Sequence, residues 1–449
     1  MDFLSLLPPL VALALAFWTR NVLLSLVVSL ALSELLMVLA APLLTFPSTV
    51  DRIVAVVTSP GDAKILLFCL LVGGLLSLMR ISGGISATVM RLIETGAAST
   101  QRRASLATVM AGILLFIETN ISLLTAGILG RPLFDRLSMS RERLAYIIDS
   151  TCAPISVLIL LNGWGAYALG LVGPYVEDQA VSVVAGSIPL NFYALLTVGL
   201  VIFTAVSDKV FGPLRSVSSM GDMVRSEEEP TNMAYMLIPA GILVFGTIAF
   251  MLWTGEGNLV EGDGAGSVLL ATTLAIVVLL VMLAASRRFS GEQLTDGTFQ
   301  GMGELLPATT VILLSLALGD SLRALGTGEF IASFATAFPA AFAFPALIFL
   351  AAAGTSFAVG TSWGTYGILI PVAMPLAIGA GIPPSLMLAA VLGGGVFGDH
   401  ASPISDTTLI ASLAAGCDHL DHVRTQLPYA LTAAGGATIA YLIAGLLTV

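Results

Sequence analysis

Apolar runs of about 20 residues recur along this whole chain, and this repetition constrains its fold more than any other feature. A run of that length crosses roughly 30 Å of hydrocarbon as an α-helix. Hydrophobic residues make up 57% of the sequence and charged residues 10%, whereas soluble domains carry about 25% charged residues. The chain has too few polar groups to solvate a surface, so we expect an all-α polytopic membrane protein.

Hydropathy predicts ten apolar spans and two further stretches with polar, glycine-rich middles. The first run, Phe3–Trp18, has no basic leader and no cleavage site of small residues, so we expect a retained span. The two interrupted stretches cover 103–130 and 345–378. The ten spans are expected at about 3–19, 21–46, 64–80, 143–172, 189–207, 233–254, 267–286, 304–322, 386–416 and 427–448.

The basic residues predict the topology. Arginines flank the 103–130 stretch at both ends, including Arg103 and Arg131. Since basic loops stay in the cytoplasm, this stretch should enter and return on the same side, as a re-entrant hairpin. The same reasoning puts both ends of 345–378 outside, although Arg323 there opposes the rule. Each half then has about five transmembrane helices and one hairpin, in opposite orientations, which is the pattern of two inverted repeats.

The predicted domains are a first inverted repeat over 1–208, a cytoplasmic linker over 209–232 and a second inverted repeat over 233–449. Local similarities in the same order support this division. They pair Asp149–Ser156 with Asp399–Ser405, Arg80…Gly83 with Arg323…Gly326, and Thr119-Asn120 with Thr361-Ser362.

Four polar segments are expected to break helices near the middle of the membrane: 118–120, 150–156, 360–364 and 398–406. Broken helices occur in a bilayer only where they line a cavity enclosed by protein. Their free carbonyl oxygens and helix-end dipoles can bind a small cation. Four breaks in two related pairs therefore predict one central site.

Asp399 and Asp406 are the strongest candidates for that site. An intramembrane acid costs roughly 3 kcal/mol, which a purely structural residue rarely repays. A carboxyl group removed from water favours its protonated form, and a bound cation reverses that preference. One carboxylate can thus hold either a proton or a cation, which gives ion–proton exchange by competition. Asp149 is a weaker candidate, because it lies nearer the cytoplasmic end of its span.

Neutral side chains could supply further oxygen ligands, or they could cap helices, and the two roles can coexist. Glu118, at the first hairpin tip, could be a ligand, a proton carrier or a capping acid. His400 could shuttle protons, although we favour a neutral hydrogen-bonding role. The neutral candidates are Thr119, Asn120, Thr361, Ser362, Ser405 and Ser156, and residues that could contact a solute are Asn162, Trp363 and His400.

Resident cofactors and metals are not expected, beyond the transported ions. The segment Cys417–His422 has metal-binding residue types, but its spacing fits no zinc pattern. The glycines 393–395 lie within a hydrophobic span and lack the Lys-Ser/Thr of a P-loop, so ATP-driven pumping is unsupported.

Three motifs, in order, resemble the NhaC-type sodium/proton antiporter family, a member of the ion-transporter superfamily. They are 360–365 (GTSWGT), 398–408 (GDHASPISDTT) and 418–429 (DHLDHVRTQLPY). The resemblance implies a secondary antiporter of the cytoplasmic membrane, with sodium bound by two hairpin tips and two unwound helices, and often a homodimer. The acid in the first tip favours cation exchange over anion symport.

The leading hypothesis is exchange of Na⁺ for H⁺ by alternating access, with the lipid bilayer and a small cation as partners and no nucleic acid. The alternative is a Na⁺- or H⁺-coupled exchanger of an organic acid or amino acid, which the resemblance leaves open. A passive channel would carry uncoupled flux. An intramembrane hydrolase is a remote alternative, since neither a His-Glu-x-x-His pattern nor a usable Gly-x-Ser-x-Gly motif occurs. We therefore do not expect an enzyme.

Overall fold

The computed structural model describes residues 3–448 except 20, 40, 95–99, 115, 117–118, 160, 177–178, 217–230, 259–260 and 338–339. Every element in those residues is helical. The α-helices are α1 Leu7–Thr19, α2 Val22–Met37, α3 Thr45–Thr58, α4 Pro60–Ile81, α5 Gly84–Glu94, α6 Gln101–Leu114, α7 Thr119–Arg136, α8 Arg141–Leu158, α9 Gly163–Val176, α10 Ala180–Ser187, α11 Phe192–Ser207, α12 Ala234–Thr254, α13 Gly264–Ser286, α14 Gly291–Glu304, α15 Leu306–Ala324, α16 Thr327–Ala337, α17 Phe344–Val359, α18 Ser362–Ala380, α19 Pro384–Ala401, α20 Asp406–Ala415 and α21 His419–Thr448. Short 3₁₀ turns cover Phe3–Leu6, Pro42–Leu44, Ile188–Leu190, Gly212–Arg215 and Ala341–Ala343.

Eight of the described helices are long and apolar enough to cross a bilayer, and the bent pair α8–α9 would make a ninth span. This confirms the predicted all-α polytopic membrane protein. Several expected spans are divided: 143–172 covers most of α8 and α9, 386–416 covers most of α19 and all of α20, and 21–46 covers α2, a 3₁₀ turn and the start of α3. The opposite orientation of the two halves stays a prediction.

The two halves share one register over a long part of the chain. Gly83 and Gly326 both have positive φ, 70° and 78°, and each is followed at once by an 11-residue helix. Five helices of the first half and five of the second begin at positions that differ by 243 in every pair. The paired starts are Gly84 and Thr327, Gln101 and Phe344, Thr119 and Ser362, Arg141 and Pro384, and Gly163 and Asp406.

This register corrects two details of the sequence comparison. Helices α8 and α19 both have 18 residues, and the sixteenth is Ser156 in one and Asp399 in the other. Asp149, which the local similarity paired with Asp399, lies two turns earlier in α8. The predicted break at 150–156 is wrong, because α8 is helical through Pro154 and the chain leaves the helix only after Leu158. A buried helix tolerates one proline where neighbouring groups satisfy the freed backbone.

The helix after each break packs against the hairpin of the other half. Helix α9 contacts α18, and α20 contacts α7. As a result α20 contributes Ala411, Ala414 and Ala415 to a separate apolar cluster built mainly from α6, α7 and α8. The breaks after α8 and α19 therefore lie where the two halves cross each other.

Two buried arginines of the first half hold the C-terminal end of α20. Arg131 donates to the carbonyl oxygens of Leu413 and Ala414, the latter at 2.5 Å. Arg141 forms a paired hydrogen bond with Asp135, at 2.9 and 3.0 Å. These arginines, which the topology argument treated as loop charges, are 7% and 1% exposed. They complement the partial negative charge of a helix C-terminus.

Candidate ion-binding site

Asp399 lies on the last turn of α19 and is 2% exposed. Its Oδ2 accepts a hydrogen bond from Ser362 Oγ at 2.5 Å, and its Oδ1 lies 3.4 Å from Ser356 Oγ. Its backbone carbonyl accepts from Thr408 Oγ1 at 2.5 Å. Within the described residues no lysine or arginine forms an ion pair with this carboxylate. Three hydroxyl groups from three helices thus surround one buried acid.

The sequence of the second hairpin tip explains the close approach. Gly360 ends α17 with φ +78°, and Thr361 is extended before α18 begins at Ser362. A Cβ at position 360 would lie 2.6 Å from the carbonyl oxygen of Ile404, within the α19–α20 break. At Gly398 it would lie 2.2 Å from Ser356 Cβ. Glycines therefore let the tip, with the positive end of the α18 dipole, contact the break beside Asp399.

The break itself covers 402–405, inside the predicted segment 398–406. Ser405 is 1% exposed, and its hydroxyl lies 3.0 Å from Thr407 Oγ1. Asp406 begins α20, is exposed, and accepts the Thr407 backbone N–H at 2.8 Å. Asp406 and Asp399 interact electrostatically. The two acids are thus neighbours in very different surroundings, one enclosed and one at the protein surface.

At the first hairpin tip the related contact joins two neutral hydroxyl groups. Thr119 begins α7, and its hydroxyl donates to Ser156 Oγ at 3.1 Å. Ser156 in turn donates to the Cys152 carbonyl at 2.9 Å. Trp164 Nε1 donates to Thr119 Oγ1 at 3.3 Å. Glu118, predicted as a ligand here, and the side chain of Asn120 lie outside what the structure describes.

Asn162 and Trp363, predicted as solute contacts, each join parts of the protein, and their contact with a solute stays a prediction. The Asn162 amide donates to the carbonyls of Phe116 and Ser156, at 3.1 and 2.8 Å, and its oxygen accepts the Trp164 N–H at 3.0 Å. Trp363, next to Ser362, stacks on Trp164 with ring centroids 3.8 Å apart. The indole stack and the Trp164–Thr119 hydrogen bond therefore link the two tips. The Asn162 amide forms its hydrogen bonds around the break after α8.

Asp149 lies in a second buried cluster and is fully enclosed. Its Oδ2 accepts from Gln426 Nε2 at 2.6 Å and lies 3.3 Å from His422 Nε2. The His400 ring bridges the Asp149 carbonyl, 3.1 Å from Nε2, and the Tyr193 hydroxyl, 2.9 Å from Nδ1. Because a carbonyl only accepts, Nε2 of His400 carries a hydrogen, and with Tyr193 as donor the ring is neutral. His400 thus has the hydrogen-bonding surroundings that we favoured.

Sequence reasoning missed five polar residues of these two clusters. His422 and Gln426 fell in an expected loop at 417–426, but α21 begins at His419 and both side chains are buried. The motif at 418–429 was the available signal for them. The motif at 398–408 likewise contained Thr408, whereas nothing marked Ser356 and Tyr193 in advance, since each is one hydroxyl in an apolar helix. No group of three or more metal-binding side chains occurs within the searched, described residues.

Comparison with known proteins agrees with this architecture. The model of the Na⁺/H⁺ antiporter family matches residues 157–446. An uncharacterized protein of Haemophilus influenzae is 30% identical over 477 residues, covering 98% of this chain and 90% of that protein. The Malate-2H(+)/Na(+)-lactate antiporter of Bacillus subtilis is 46% identical over 72 residues, 16% of this chain and 15% of that one. The crystal structure of the YdaH transporter of Alcanivorax borkumensis superposes with a TM-score of 0.59 at 14% identity, over 89% of this chain and 88% of that chain, a similarity of fold alone.

Proposed function

The chain belongs to the Na⁺/H⁺ antiporter family, and we propose that it exchanges Na⁺ for H⁺ across the cytoplasmic membrane by alternating access, with Asp399 as the carboxylate that binds the cation. The enclosure of Asp399 by hydroxyl groups is the observation that carries this proposal. Membership of a family of antiporters supports transport in place of catalysis, and the proposed exchange needs no cofactor beyond the transported Na⁺ and H⁺.

The chemistry of the pocket supports cation binding. A carboxylate that is 2% exposed is costly as a lone anion, so a proton or a cation must neutralise it. Ser362 and Ser356 add hydroxyl oxygens to the two carboxylate oxygens. Oxygen atoms at an unwound helix are the ligands by which transporters of this kind hold Na⁺. Ser405 and Thr361, on the break and the tip, are proposed to complete the site. Asp406 is proposed to attract cations toward it.

The crossing of the two halves supports alternating access. The break after α8 leads into α9, which packs on α18 in the hairpin of the other half. The break after α19 leads into α20, which packs on α7 in the first hairpin. A displacement of one hairpin would therefore move the break of the other half. Paired breaks of this kind allow two halves to rock about a central site. Inverted orientation and a homodimer stay predictions.

Flux in proteoliposomes tests the proposal. With Na⁺ and H⁺ gradients set independently, the wild-type protein should couple inward H⁺ to outward Na⁺ and conversely. Asp399→Asn should abolish Na⁺-dependent proton movement, because an amide cannot neutralise a cation. Asp421→Asn, which removes an exposed carboxylate on α21, is the matched control and should keep the flux. Equal activity of the wild-type protein and Asp399→Asn would refute the assignment.

Exchange of an organic acid is a second candidate, favoured by one observation. A mainly apolar cavity of about 310 Å³ lies between the α8–α9 break and α10, α12 and α13. It borders Asn162 and Thr247, and its size suits a small solute. The relative from Bacillus subtilis is named for malate, lactate, H⁺ and Na⁺. Lactate or malate should raise the thermal unfolding temperature of the purified carrier if either is a substrate, since a ligand stabilises the folded state.

A further inference from the structure

Asp149 is a second fully buried acid, and the function proposed above gives it no separate task. Within the described residues its carboxylate accepts hydrogen bonds from His422 and Gln426, neither of which carries a permanent charge. Three polar atoms of this cluster have no partner there, although each is enclosed: Asp149 Oδ1, His422 Nδ1 and Gln426 Oε1. A buried polar group without a partner costs about 1–3 kcal/mol, so this arrangement is not explained by stability.

We propose that Asp149 and His422 form a proton-binding pair, separate from the cation-binding carboxylate of Asp399. Gln426 is the residue that positions Asp149 relative to Asp399. The inference rests on the proposed function and deepens it, because it assigns the proton and the cation to different side chains. The direct alternative is that one proton and one cation compete for Asp399 alone.

The charges of the pair favour one shared proton. With hydrogen on His422 Nδ1 and one further proton between Asp149 Oδ2 and His422 Nε2, the pair is neutral overall, whichever of those two atoms holds that proton. Once that proton leaves to water, a lone carboxylate stays buried at 0% exposure, which is costly. An imidazole side chain can both accept and donate a proton, as it does in proton relays. Loss of the proton therefore requires a positive charge to arrive nearby.

The two acids are connected closely enough to supply that charge. Gln426 Nε2 donates both to Asp149 Oδ2 and to the carbonyl of His400, the residue after Asp399. Asp149 also interacts electrostatically with Asp399. Na⁺ bound at Asp399 would repel the proton on the pair, and loss of Na⁺ would favour its return. Exchange then follows from electrostatic coupling between two sites that are occupied in turn.

Titratable and polar groups on the helices around Asp149 share its electrostatic field. Tyr146 lies on the same helix, α8, and Asp135 on α7 is bound by Arg141 near the end of α8. Helix α11 contributes Tyr193, and α6 contributes the neutral Ser105 and Thr108. The remaining titratable neighbours are Asp399 and His400 on α19, Asp406 on α20, and His422 on α21. Within the described residues no arginine or lysine forms an ion pair with Asp149.

His422 lies close to the exposed start of its helix. It is on the first turn of α21, directly after Asp421, which is exposed, and two residues after Leu420, which is 66% exposed. The pair thus lies within about one helical turn of residues that reach the protein surface. Asp399, enclosed by the hairpin tip, has no such adjacent surface residue in its own helix turn, since Gly398 and His400 are buried with it.

Paired flux assays on the full-length protein in liposomes test the inference. One assay follows ²²Na⁺/Na⁺ exchange at equal pH on both sides, which needs no proton step, and the other follows Na⁺/H⁺ exchange. His422→Gln and Asp149→Asn should lower Na⁺/H⁺ exchange by about tenfold or more, the scale of losing a proton-transfer group, and keep ²²Na⁺/Na⁺ exchange. Asp399→Asn should lose both.

His419→Gln is the matched control. His419 lies on the same helix turn and is hydrogen-bonded to the Pro403 carbonyl and the Ser412 hydroxyl and, among the described residues, to no carboxylate; the variant should keep both exchanges. Retained Na⁺/H⁺ exchange in His422→Gln and Asp149→Asn would overturn the inference and leave the proton on Asp399. Loss of both exchanges in folded variants would also overturn it, by placing Asp149 in the cation site. Absence of Na⁺ flux in the wild-type protein would refute the proposed function and this inference together.

A measurement on the unsubstituted protein covers the case in which a variant does not fold. The chain has three histidines, so infrared difference spectra on replacing K⁺ by Na⁺ contain few imidazole signals. Na⁺ should produce bands of a deprotonating carboxyl group together with a change in an imidazole band that persists in His419→Gln. A carboxyl change with no imidazole change would contradict the shared proton.

Discussion

The two hairpins place a hydroxyl at the same point of the fold, the first residue of the second hairpin helix, yet each hydroxyl meets a different partner. Thr119 donates to Ser156 at 3.1 Å, and Ser362 donates to Asp399 at 2.5 Å, with 37 residues between donor and acceptor in both cases. At these two hydroxyls the scaffold is thus repeated, while the described acceptor is neutral in one half and a carboxylate in the other. A repeated framework can hold one asymmetric ion site, because backbone geometry and side-chain chemistry vary independently.

Removal of the Ser362 hydroxyl should have the largest effect on Na⁺ binding. Ser362→Ala deletes a hydrogen bond to a buried carboxylate, a contact worth about 1.5–3 kcal/mol when one partner is charged. The apparent affinity for Na⁺ should fall by about 10- to 100-fold, measured as the KM for Na⁺ in proteoliposomes. Ser362→Thr keeps the hydroxyl and should stay near the wild-type value. An unchanged KM in Ser362→Ala would remove Ser362 from the site.

Asn162→Ala should act on the stability of the first half. This amide joins the carbonyls of Phe116 and Ser156, and the substitution leaves both without their donor. We expect a loss of about 2 kcal/mol in the free energy of unfolding, seen as a lower thermal unfolding temperature in detergent. The KM for Na⁺ should change little, and a large rise in KM with unchanged stability would instead indicate a binding role.

Thr119→Ala is the direct counterpart of Ser362→Ala and should have a smaller effect. A hydrogen bond between two neutral hydroxyls contributes about 1 kcal/mol, so the KM for Na⁺ should rise by less than about fivefold. Thr119→Ser is the matched control. If Thr119→Ala raised the KM as much as Ser362→Ala, the two tips would both bind the cation and the asymmetry would be refuted.

An ion pair between the two halves at the protein surface should contribute least to stability. Lys64 on α4 donates to Asp263 Oδ2 at 2.7 Å, and both side chains are about 40% exposed. Burial alone would raise the pKa of Asp263, but the Lys64 hydrogen bond, the Gly266 N–H and the Lys64 charge together lower it. The pair therefore stabilises the fold above the ordinary carboxyl pKa, and this contribution is lost as the pH falls through the lowered value.

Lys64→Gln measures that contribution. The substitution should cost less than about 1 kcal/mol at neutral pH and low salt, because an exposed ion pair is screened by water. The difference in thermal unfolding temperature from wild type should shrink with added salt and disappear in acid. A difference that persisted in acid would show that Lys64 contributes through packing.

Much of the architecture was predictable, because hydropathy and helix breaks are local properties of the sequence. Long apolar runs located most spans, and the polar segments at 360–364 and 398–406 marked a hairpin tip and a break that the structure contains. The repeat was also recognised, but in the wrong register at one place. The similar sequences around Pro154 and Pro403 aligned Asp149 with Asp399. The common register of helices α8 and α19 instead places Asp399 at the position of Ser156.

The partners of the buried acids could not be predicted, since they depend on contacts between distant segments. Ser356 and Thr408 resemble the many hydroxyls that bond to their own helix. His422 and Gln426 stood in a polar segment typical of a loop, and they are buried because α21 packs against α8 and α19.

The sequence by itself determined that this chain is a polytopic membrane protein, because the scarcity of charge and the spacing of apolar runs require a bilayer as the solvent. It also marked the polar segments at 360–364 and 398–406. Only the tertiary structure decided which acid meets which partner. Register between helices depends on packing across the two halves, and that packing enclosed Asp399 with hydroxyls while it placed Asp149 beside His422.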